Sequence, residues 1–450
     1  MGQTTFMLMF ITIISKVFGF IREAVMANYI GAGELKSIYT TANTLPVVVS
    51  NFVAVGIISG FIPIYNRAKN EEGEASAEKF TSNIFNILMV FRGYLNIKGD
   101  FFNPAITGII MNIVIIIFTV LTGKTGNAYL LIIGALLGNI LQYILFPKAT
   151  RNAGYHHEKL IDFSNKYVRQ LMIIAIPVIV SSAAGEISII VDNSMASAYF
   201  GKASISKLFY AKTMLTLITG VITVSVTTAL YPRIAELGQS NKINAMKKSI
   251  SSAVVTTLLL VVPATIGMSV LSQPIIELVF QRNAFKSEDT IIVASLLSSY
   301  APFIIFQSIS DVVDRGFYAV GDSKTPVIIV VIQQIINIIF NIILINFFGI
   351  NGLALSTVVS TIVGSILMIY KFRANFGSFN FKTALLSIIK ISIATAMMAV
   401  TASGMYNLTS GKMPHILAIF IAIILAAIVY LFLILIARIP EVMNTVNTIY

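Results

Sequence analysis

Long apolar runs follow one another along the whole chain, and each is long enough to cross a membrane as a helix of about 20 residues. The runs lie at residues 4–30, 38–65, 104–122, 127–147, 167–200, 206–231, 248–272, 290–312, 325–348, 350–371, 383–405 and 413–437, with a weaker one near 80–95. Only 11% of the residues are charged, against about 25% in soluble domains. Because the runs do not alternate polar and apolar residues, helices are favoured over a barrel. We predict an all-α polytopic membrane protein with about twelve transmembrane helices.

The residues that soluble enzymes use for catalysis and metal binding are scarce. The chain has no cysteine, which excludes disulfides and thiolate chemistry. Its histidines, His156, His157 and His415, lack metal-ligand spacing. No GxxxxGK[ST] loop occurs, so an ion gradient or the membrane potential, rather than ATP, would drive transport. We predict a protein that is not an enzyme and that has no cofactor apart from a candidate sodium ion.

The basic residues are scattered through short loops, although the net charge is +12. This pattern favours membrane lipids over nucleic acid as partners. With the N-terminus placed in the cytoplasm, the cytoplasmic loops hold 20 Lys and Arg residues, the opposite loops 7 and the spans 4. The asymmetry predicts a multi-pass protein of a bacterial inner membrane with its N-terminus inside.

The two halves of the chain resemble each other in sequence. Tyr29, Gly31, Tyr39 and Leu45 align with Tyr199, Gly201, Phe209 and Leu215 at an offset of 170 residues. Parallel repeats of this kind are a transporter architecture. We predict two pseudo-symmetric lobes, an N-lobe at 1–150 and a C-lobe at 167–372, followed by a C-terminal helix pair at 383–437.

The repeat offset changes along the chain. It is 169 at Pro63 and Pro232 but 223 at Arg92 and Arg315, so the first half is about 54 residues shorter in this interval. That length corresponds to two spans and a loop. The first lobe is therefore predicted to lack one helical hairpin.

Charges inside the spans are costly and are by default functional. Lys16, Arg22 and Glu23 lie in the first span, and Lys212 lies in the span at 206–231. Together they predict a cationic cavity for an anionic substrate such as a phosphate. The alternative is that these charges pair internally and only hold helices together.

A second group of polar residues is weakly charged. Asp192, Asn337, Asn341 and Thr357 carry oxygen atoms that could coordinate sodium, and the two asparagines share a helix face. Ordinary interhelical hydrogen bonding explains the same residues, and from spacing alone it is favoured.

Several motifs together resemble the MurJ (MviN) lipid II flippases of the multidrug/oligosaccharidyl-lipid/polysaccharide exporter superfamily. The matching segments are Ser15 to Glu23, Tyr29 to Gly33, Phe61-Ile62-Pro63, Gly93 to Asn96, Phe102 to Ala105 continuing to Asn112, Phe280 to Phe285 continuing to Asp289-Thr290, and Arg315 to Ala319 with Gly321 to Pro326. The resemblance covers almost the whole chain, and the order and spacing of the motifs make it specific.

The resemblance implies a flippase that moves undecaprenyl-pyrophosphate-linked peptidoglycan precursor, lipid II, by alternating access. It implies that Lys16 and Arg22 hold the pyrophosphate. A family arginine falls at Thr213, where the neighbouring Lys212 supplies a charge. Some members bind sodium at positions that match Asp192, Asn337, Asn341 and Thr357, although Asn341 replaces an acidic residue. The C-terminal pair matches helices that form a groove for the lipid tail, and the protein is expected to be a monomer.

The chain also departs from the family pattern. Ser37, Asn51 and Val55 stand where many members have an acidic residue, an arginine and a glutamate, and fourteen helices are usual. Four functions therefore remain open: a lipid II flippase, a transporter of another lipid-linked glycan or of drugs, an enzyme acting on polyprenyl phosphates, and a degenerate paralogue that does not transport. The enzyme would need Asp-Asp metal motifs, which the chain lacks.

Overall fold

The computed structural model describes residues 2–88, 94–95, 98–100, 102–155, 158, 161–162, 164–377 and 381–443, and forms sixteen α-helices and no strand within them. The first seven helices are α1 (Gly2–Tyr29), α2 (Glu34–Glu72), α3 (Glu74–Leu88), α4 (Phe102–Thr125), α5 (Tyr129–Leu141), α6 (Phe146–Asn152) and α7 (Lys166–Phe200). The others are α8 (Ser204–Ile218), α9 (Val224–Gln239), α10 (Ile243–Val270), α11 (Ser272–Phe280), α12 (Ser287–Ala319), α13 (Lys324–Phe348), α14 (Asn351–Phe376), α15 (Phe381–Thr409) and α16 (His415–Ile436).

Eight segments among the described residues are long and apolar enough to cross a membrane. They are Phe102–Thr125, Tyr129–Asn152, Ile243–Val270, Ser287–Ala319, Lys324–Phe348, Asn351–Phe376, Ala384–Thr409 and His415–Ile436. They confirm the all-α polytopic class. The other four predicted spans lie on α1, α2, α7 and α8 with α9, and the total of about twelve stays a prediction.

Helix α3 covers residues 80–88 of the weaker apolar run. It has 15 residues, so it is about 22 Å long and shorter than the hydrocarbon core of about 30 Å. Its Phe80 and Ile84 are buried, and the Asn83 Oδ1 atom accepts a hydrogen bond of 2.7 Å from the Asp162 backbone N–H. The predicted missing hairpin stays a prediction. Residues 89–93, which include Arg92 at the end of the interval where the repeat offset changes, lie outside the described residues.

The chain divides into two compact units, Met1–Ile190 and Val191–Tyr450. In the first unit, small residues let helix α4 approach α1 and α5 closely. A side chain added at Gly108 on α4 would collide with the Ser15 hydroxyl on α1, and one at Gly134 on α5 would collide with the Phe118 ring on α4. The close packing of α1 and α4 brings their polar side chains within hydrogen-bond distance.

The second unit is built around α12. Phe317 of this helix packs edge-on against Phe372 and Phe376 of α14, with ring centroids 5.5 and 5.6 Å apart. The two C-terminal helices, α15 and α16, pack against α10. There the Tyr430 hydroxyl of α16 donates a hydrogen bond of 2.7 Å to the Leu259 carbonyl.

The same local turns recur in both units, as an internal repeat predicts. Gly31 follows α1 and Gly201 follows α7, and both adopt positive φ angles, 76° and 82°. Such angles favour glycine, because it has no Cβ. Helices α4 and α13 also begin alike: the Asp100 carboxylate accepts from the Asn103 N–H at 3.1 Å, and the Asp322 carboxylate accepts from the Thr325 N–H at 3.0 Å.

Candidate functional site

A cluster of buried charges lies where α1 ends and α2 begins in the first unit. The Arg22 Nε and Nη2 atoms donate to one carboxylate oxygen of Glu23 at 2.9 and 2.6 Å. The Lys36 ammonium donates to the other oxygen at 2.6 Å. The Arg22 Nη1 atom donates to the Asn112 side-chain oxygen at 2.9 Å. Helices α1 and α2 thus meet at one carboxylate, and α4 joins the cluster through Arg22.

Burial explains why these residues occur as a group. The Glu23 side chain is 2% exposed and that of Lys36 is fully buried, whereas Arg22 is 19% exposed. A buried charge without a partner is strongly destabilising, so a buried carboxylate needs cations. Two cations surround one carboxylate, which leaves a surplus of one positive charge. Arg22 is the most exposed of the three residues.

Lys36 and Asn112 are members of the cluster that sequence reasoning missed. The sequence places Lys36 in the short loop between the first two spans, but the structure places it in the first turn of α2, fully buried. Its ammonium also lies 5.1 Å from the Tyr39 ring centroid. The sequence signal that could have identified Lys36 is the requirement of a buried Glu23 carboxylate for a second cation. Asn112 lies in a motif of the resemblance, where no role was assigned to it.

Lys16 stands apart from this cluster on the same helix. Its side chain is exposed, and it makes no ion pair within the part of the chain that the structure describes. Its position about two turns before Glu23 follows from the helical spacing. Lys16 therefore remains available as a cation, whereas Arg22 is held by neighbours.

A second polar cluster lies in the second unit and brings together the four residues of the predicted sodium site. The Asn341 amide donates to Asp192 Oδ1 at 2.7 Å. The Asn337 amide donates to the hydroxyl oxygens of Ser356 and Thr357 at 3.4 and 3.3 Å. Helices α7, α13 and α14 are joined by these bonds. Ser356, which the sequence analysis did not single out, also donates to Asn341.

Lys212 belongs to this second cluster. Its ammonium lies 3.1 Å from Asp192 Oδ2, and 5.3 Å from the centroid of the buried Tyr300 ring. The Lys212 side chain is 32% exposed and that of Asp192 is 3% exposed. The pairing gives the second cluster no surplus charge, in contrast to the first.

The two clusters occupy related places in the repeat. Arg22 and Asp192 are 170 residues apart, which is the offset of the aligned first helices. In the first unit, Arg22 meets Asn112 of α4 and the adjacent Glu23 meets Lys36 of α2. In the second unit, Asp192 meets both Lys212 of α8 and Asn341 of α13. The sign of the charge at the aligned position is reversed, so the two clusters suit different chemistry.

Comparison with known proteins assigns the family. The family model described as "Lipid II flippase MurJ" matches residues 26–94 and 84–426. A probable lipid II flippase MurJ of Rickettsia prowazekii is 26% identical over 404 residues, which covers 78% of this chain and 79% of the relative. A probable lipid II flippase MurJ of Haemophilus influenzae is 24% identical, covering 93% and 96%.

The fold agrees with the sequence comparison. A solved structure of lipid II flippase MurJ in an inward closed conformation is similar with a TM-score of 0.80 and 25% identity, covering 95% of this chain and 98% of the other. The family is one of transporters, so the expectation that the chain is not an enzyme is confirmed. The chain is a multi-pass membrane protein that belongs to the MurJ lipid II flippase family.

Proposed function

We propose that this chain moves lipid II from the inner to the outer leaflet of the cytoplasmic membrane. The observation that carries the proposal is the family match, which reaches from residue 26 to residue 426 and so includes residues of both units. The first charge cluster supports it, because its surplus positive charge suits a pyrophosphate. Lipid II combines such an anionic group with a long apolar chain, and a multi-pass membrane protein provides surroundings for both.

Arg22 is the residue that we assign to the pyrophosphate, with Lys16 as a second cation. A guanidinium has five N–H donors, and three of those of Arg22 are used by Glu23 and Asn112. One N–H on each terminal nitrogen remains for an oxyanion. Because Glu23 and Asn112 fix the plane of the group, little side-chain entropy is lost when a phosphate binds.

Glu23 and Lys36 act as positioning residues in this proposal. The Lys36 ammonium offsets the negative charge of Glu23, so the carboxylate orients Arg22 without cancelling its charge. Lys212, which was predicted to belong to the same cationic site, is less suited to a phosphate, because its ammonium is already paired with Asp192.

Complementation tests the function. In a bacterium depleted of its essential lipid II flippase, expression of this chain is expected to restore growth. Absence of rescue by a chain that is inserted in the membrane in normal amount would refute the proposal for this form of the protein.

A second candidate, a family member that no longer transports, is supported by one observation. The family model matches in two segments that meet at residues 84–94, beside the interval where the repeat offset changes. A chimera that receives the corresponding two-helix segment of a longer relative between Pro63 and Arg92 separates the candidates. Rescue by the chimera alone would mean that the shortened first half does not transport.

We also propose that the N-terminus lies in the cytoplasm, as the distribution of Lys and Arg indicates. The chain has no cysteine, so single cysteines can report topology. Lys412, in the turn between α15 and α16, and Lys371, near the end of α14, are both exposed. An impermeant maleimide added to intact cells is expected to label Lys412→Cys, and to label Lys371→Cys only after permeabilisation. The reverse pattern would invert the topology.

A further inference from the structure

The second polar cluster offers a test of whether a sodium ion fits this chain. A hard cation needs oxygen atoms with lone pairs directed at it. Five oxygen atoms belong to the four predicted ligands, and each already accepts a hydrogen bond from the protein. The accepting atoms are both carboxylate oxygens of Asp192, the amide oxygens of Asn337 and Asn341, and the hydroxyl oxygen of Thr357.

Lys212 is the decisive member of the cluster. The amides of Asn337 and Asn341 can rotate and present their oxygens, but an ammonium has three donors and no acceptor. It therefore cannot become a ligand of a cation. Lys212 lies against Asp192 Oδ2 at 3.1 Å and faces the Tyr300 ring, a surface that attracts cations. Lys212 thus occupies the side of the carboxylate where both Asp192 and the Tyr300 ring would attract a metal cation.

The charge balance of the second cluster also argues against a bound sodium ion. Asp192 supplies one negative charge to the cluster and Lys212 supplies one positive charge. The described residues hold no group of three His, Cys, Asp or Glu side chains that could bind a metal. A sodium ion added beside Lys212 would have to bind a carboxylate whose negative charge is already offset by the ammonium.

We propose that the Lys212 ammonium takes the place of a metal cation at Asp192, so that this chain carries a built-in cation and translocates its substrate without sodium. The part that concerns transport rests on the proposed flippase function, whereas the part that concerns binding does not. Because the ammonium is covalently part of α8, the ion pair between Lys212 of α8 and Asp192 of α7 is expected to persist at any sodium concentration. The amide and hydroxyl groups of α13 and α14 complete the network around Asp192.

The sharpest test removes the tethered cation. The Lys212→Met variant removes the ammonium and keeps an unbranched side chain that is one atom shorter, which leaves Asp192 with room for an ion. We expect the purified variant to bind sodium, measured with radioactive sodium and as a rise in the unfolding temperature in sodium chloride relative to choline chloride. The wild-type protein is expected to show neither effect. Sodium binding by the wild-type protein that Asp192→Asn removes would overturn the proposal.

Three further variants make the result specific. Lys212→Arg retains a cation and should remain insensitive to sodium. Lys212→Met combined with Asp192→Asn removes both charges and should bind none. Lys390→Met removes a lysine of α15, whose ammonium bonds the Ala437 carbonyl at 2.6 Å, and should behave like the wild type towards sodium. Failure of Lys212→Met to bind sodium while it folds normally would also overturn the proposal.

Transport gives a second readout. In the depletion strain, rescue by the wild-type chain should not depend on sodium, whereas rescue by Lys212→Met should become dependent on it, by about 5- to 150-fold, the usual range of coupling between two sites. Loss of rescue by Lys212→Met at every sodium concentration, without sodium binding, would assign Lys212 to the substrate instead. If the wild-type chain fails to rescue, the flippase proposal fails, and the binding measurements still decide the role of Lys212.

Discussion

Replacing Arg22 with alanine is expected to abolish translocation of lipid II and to leave the protein folded and inserted. Folding is expected to survive the loss of translocation, because Glu23 keeps its hydrogen bond of 2.6 Å from Lys36 when Arg22 is removed. The buried carboxylate thus remains paired, while the N–H groups that we propose bind the pyrophosphate are lost. Truncating one partner of a buried charge pair typically costs about 2–5 kcal/mol, which corresponds to a loss of roughly 30-fold or more in binding.

Two control variants qualify this result. Arg22→Lys retains the charge but not the fork of donors, so its rescue should be intermediate. Arg67→Ala removes an exposed arginine of the same unit, which pairs with Glu71 at 3.3 Å, and should rescue normally. Full rescue by Arg22→Ala at normal abundance would mean that the cluster only holds helices together.

The second large effect is expected for Glu23→Gln, which should destabilise the protein as well as inactivate it. Without the carboxylate, the buried cations of Arg22 and Lys36 face each other with no anion between them. Breaking a buried ion pair from one side costs about 3–5 kcal/mol. The measurement is the unfolding temperature of the purified variant in detergent, together with its abundance in the membrane.

A double variant tests the cause of that loss. Adding Lys36→Met to Glu23→Gln removes one of the stranded cations, so stability should return towards that of the wild type. Glu74→Gln is the control, because Glu74 is 52% exposed where it meets Lys69 and Lys98, and its loss should cost under about 1 kcal/mol. Equal stability of Glu23→Gln and the wild type would show that the carboxylate is not needed to hold the cations.

The helical class and the burial of two charged residues could be predicted from sequence, because the charges lie within a long apolar run. Arg22 and Glu23 are identified in this way. Their partner Lys36 could not be, since it lies beyond the turn after α1 and its burial depends on how α2 returns against α1. Only the demand of a buried carboxylate for a second cation pointed to it.

The second cluster shows the same limit. The spacing of four residues between Asn337 and Asn341 placed them on one helix face, and the resemblance added Asp192 and Thr357. The sequence groups Lys212 with the phosphate-binding cations, because it shows the charge of Lys212 and not its contact with Asp192. That contact joins residues 20 positions apart on two different helices, which no local pattern encodes.

The most direct measurement is the amount of lipid II exposed on the outer leaflet of cells depleted of their own flippase. Cells that carry the wild-type chain should regain lipid II that is accessible to an impermeant probe, and cells that carry Arg22→Ala at equal abundance should not. Unchanged exposure with an inserted wild-type chain would contradict the proposed function, and equal exposure with Arg22→Ala would contradict the proposed site.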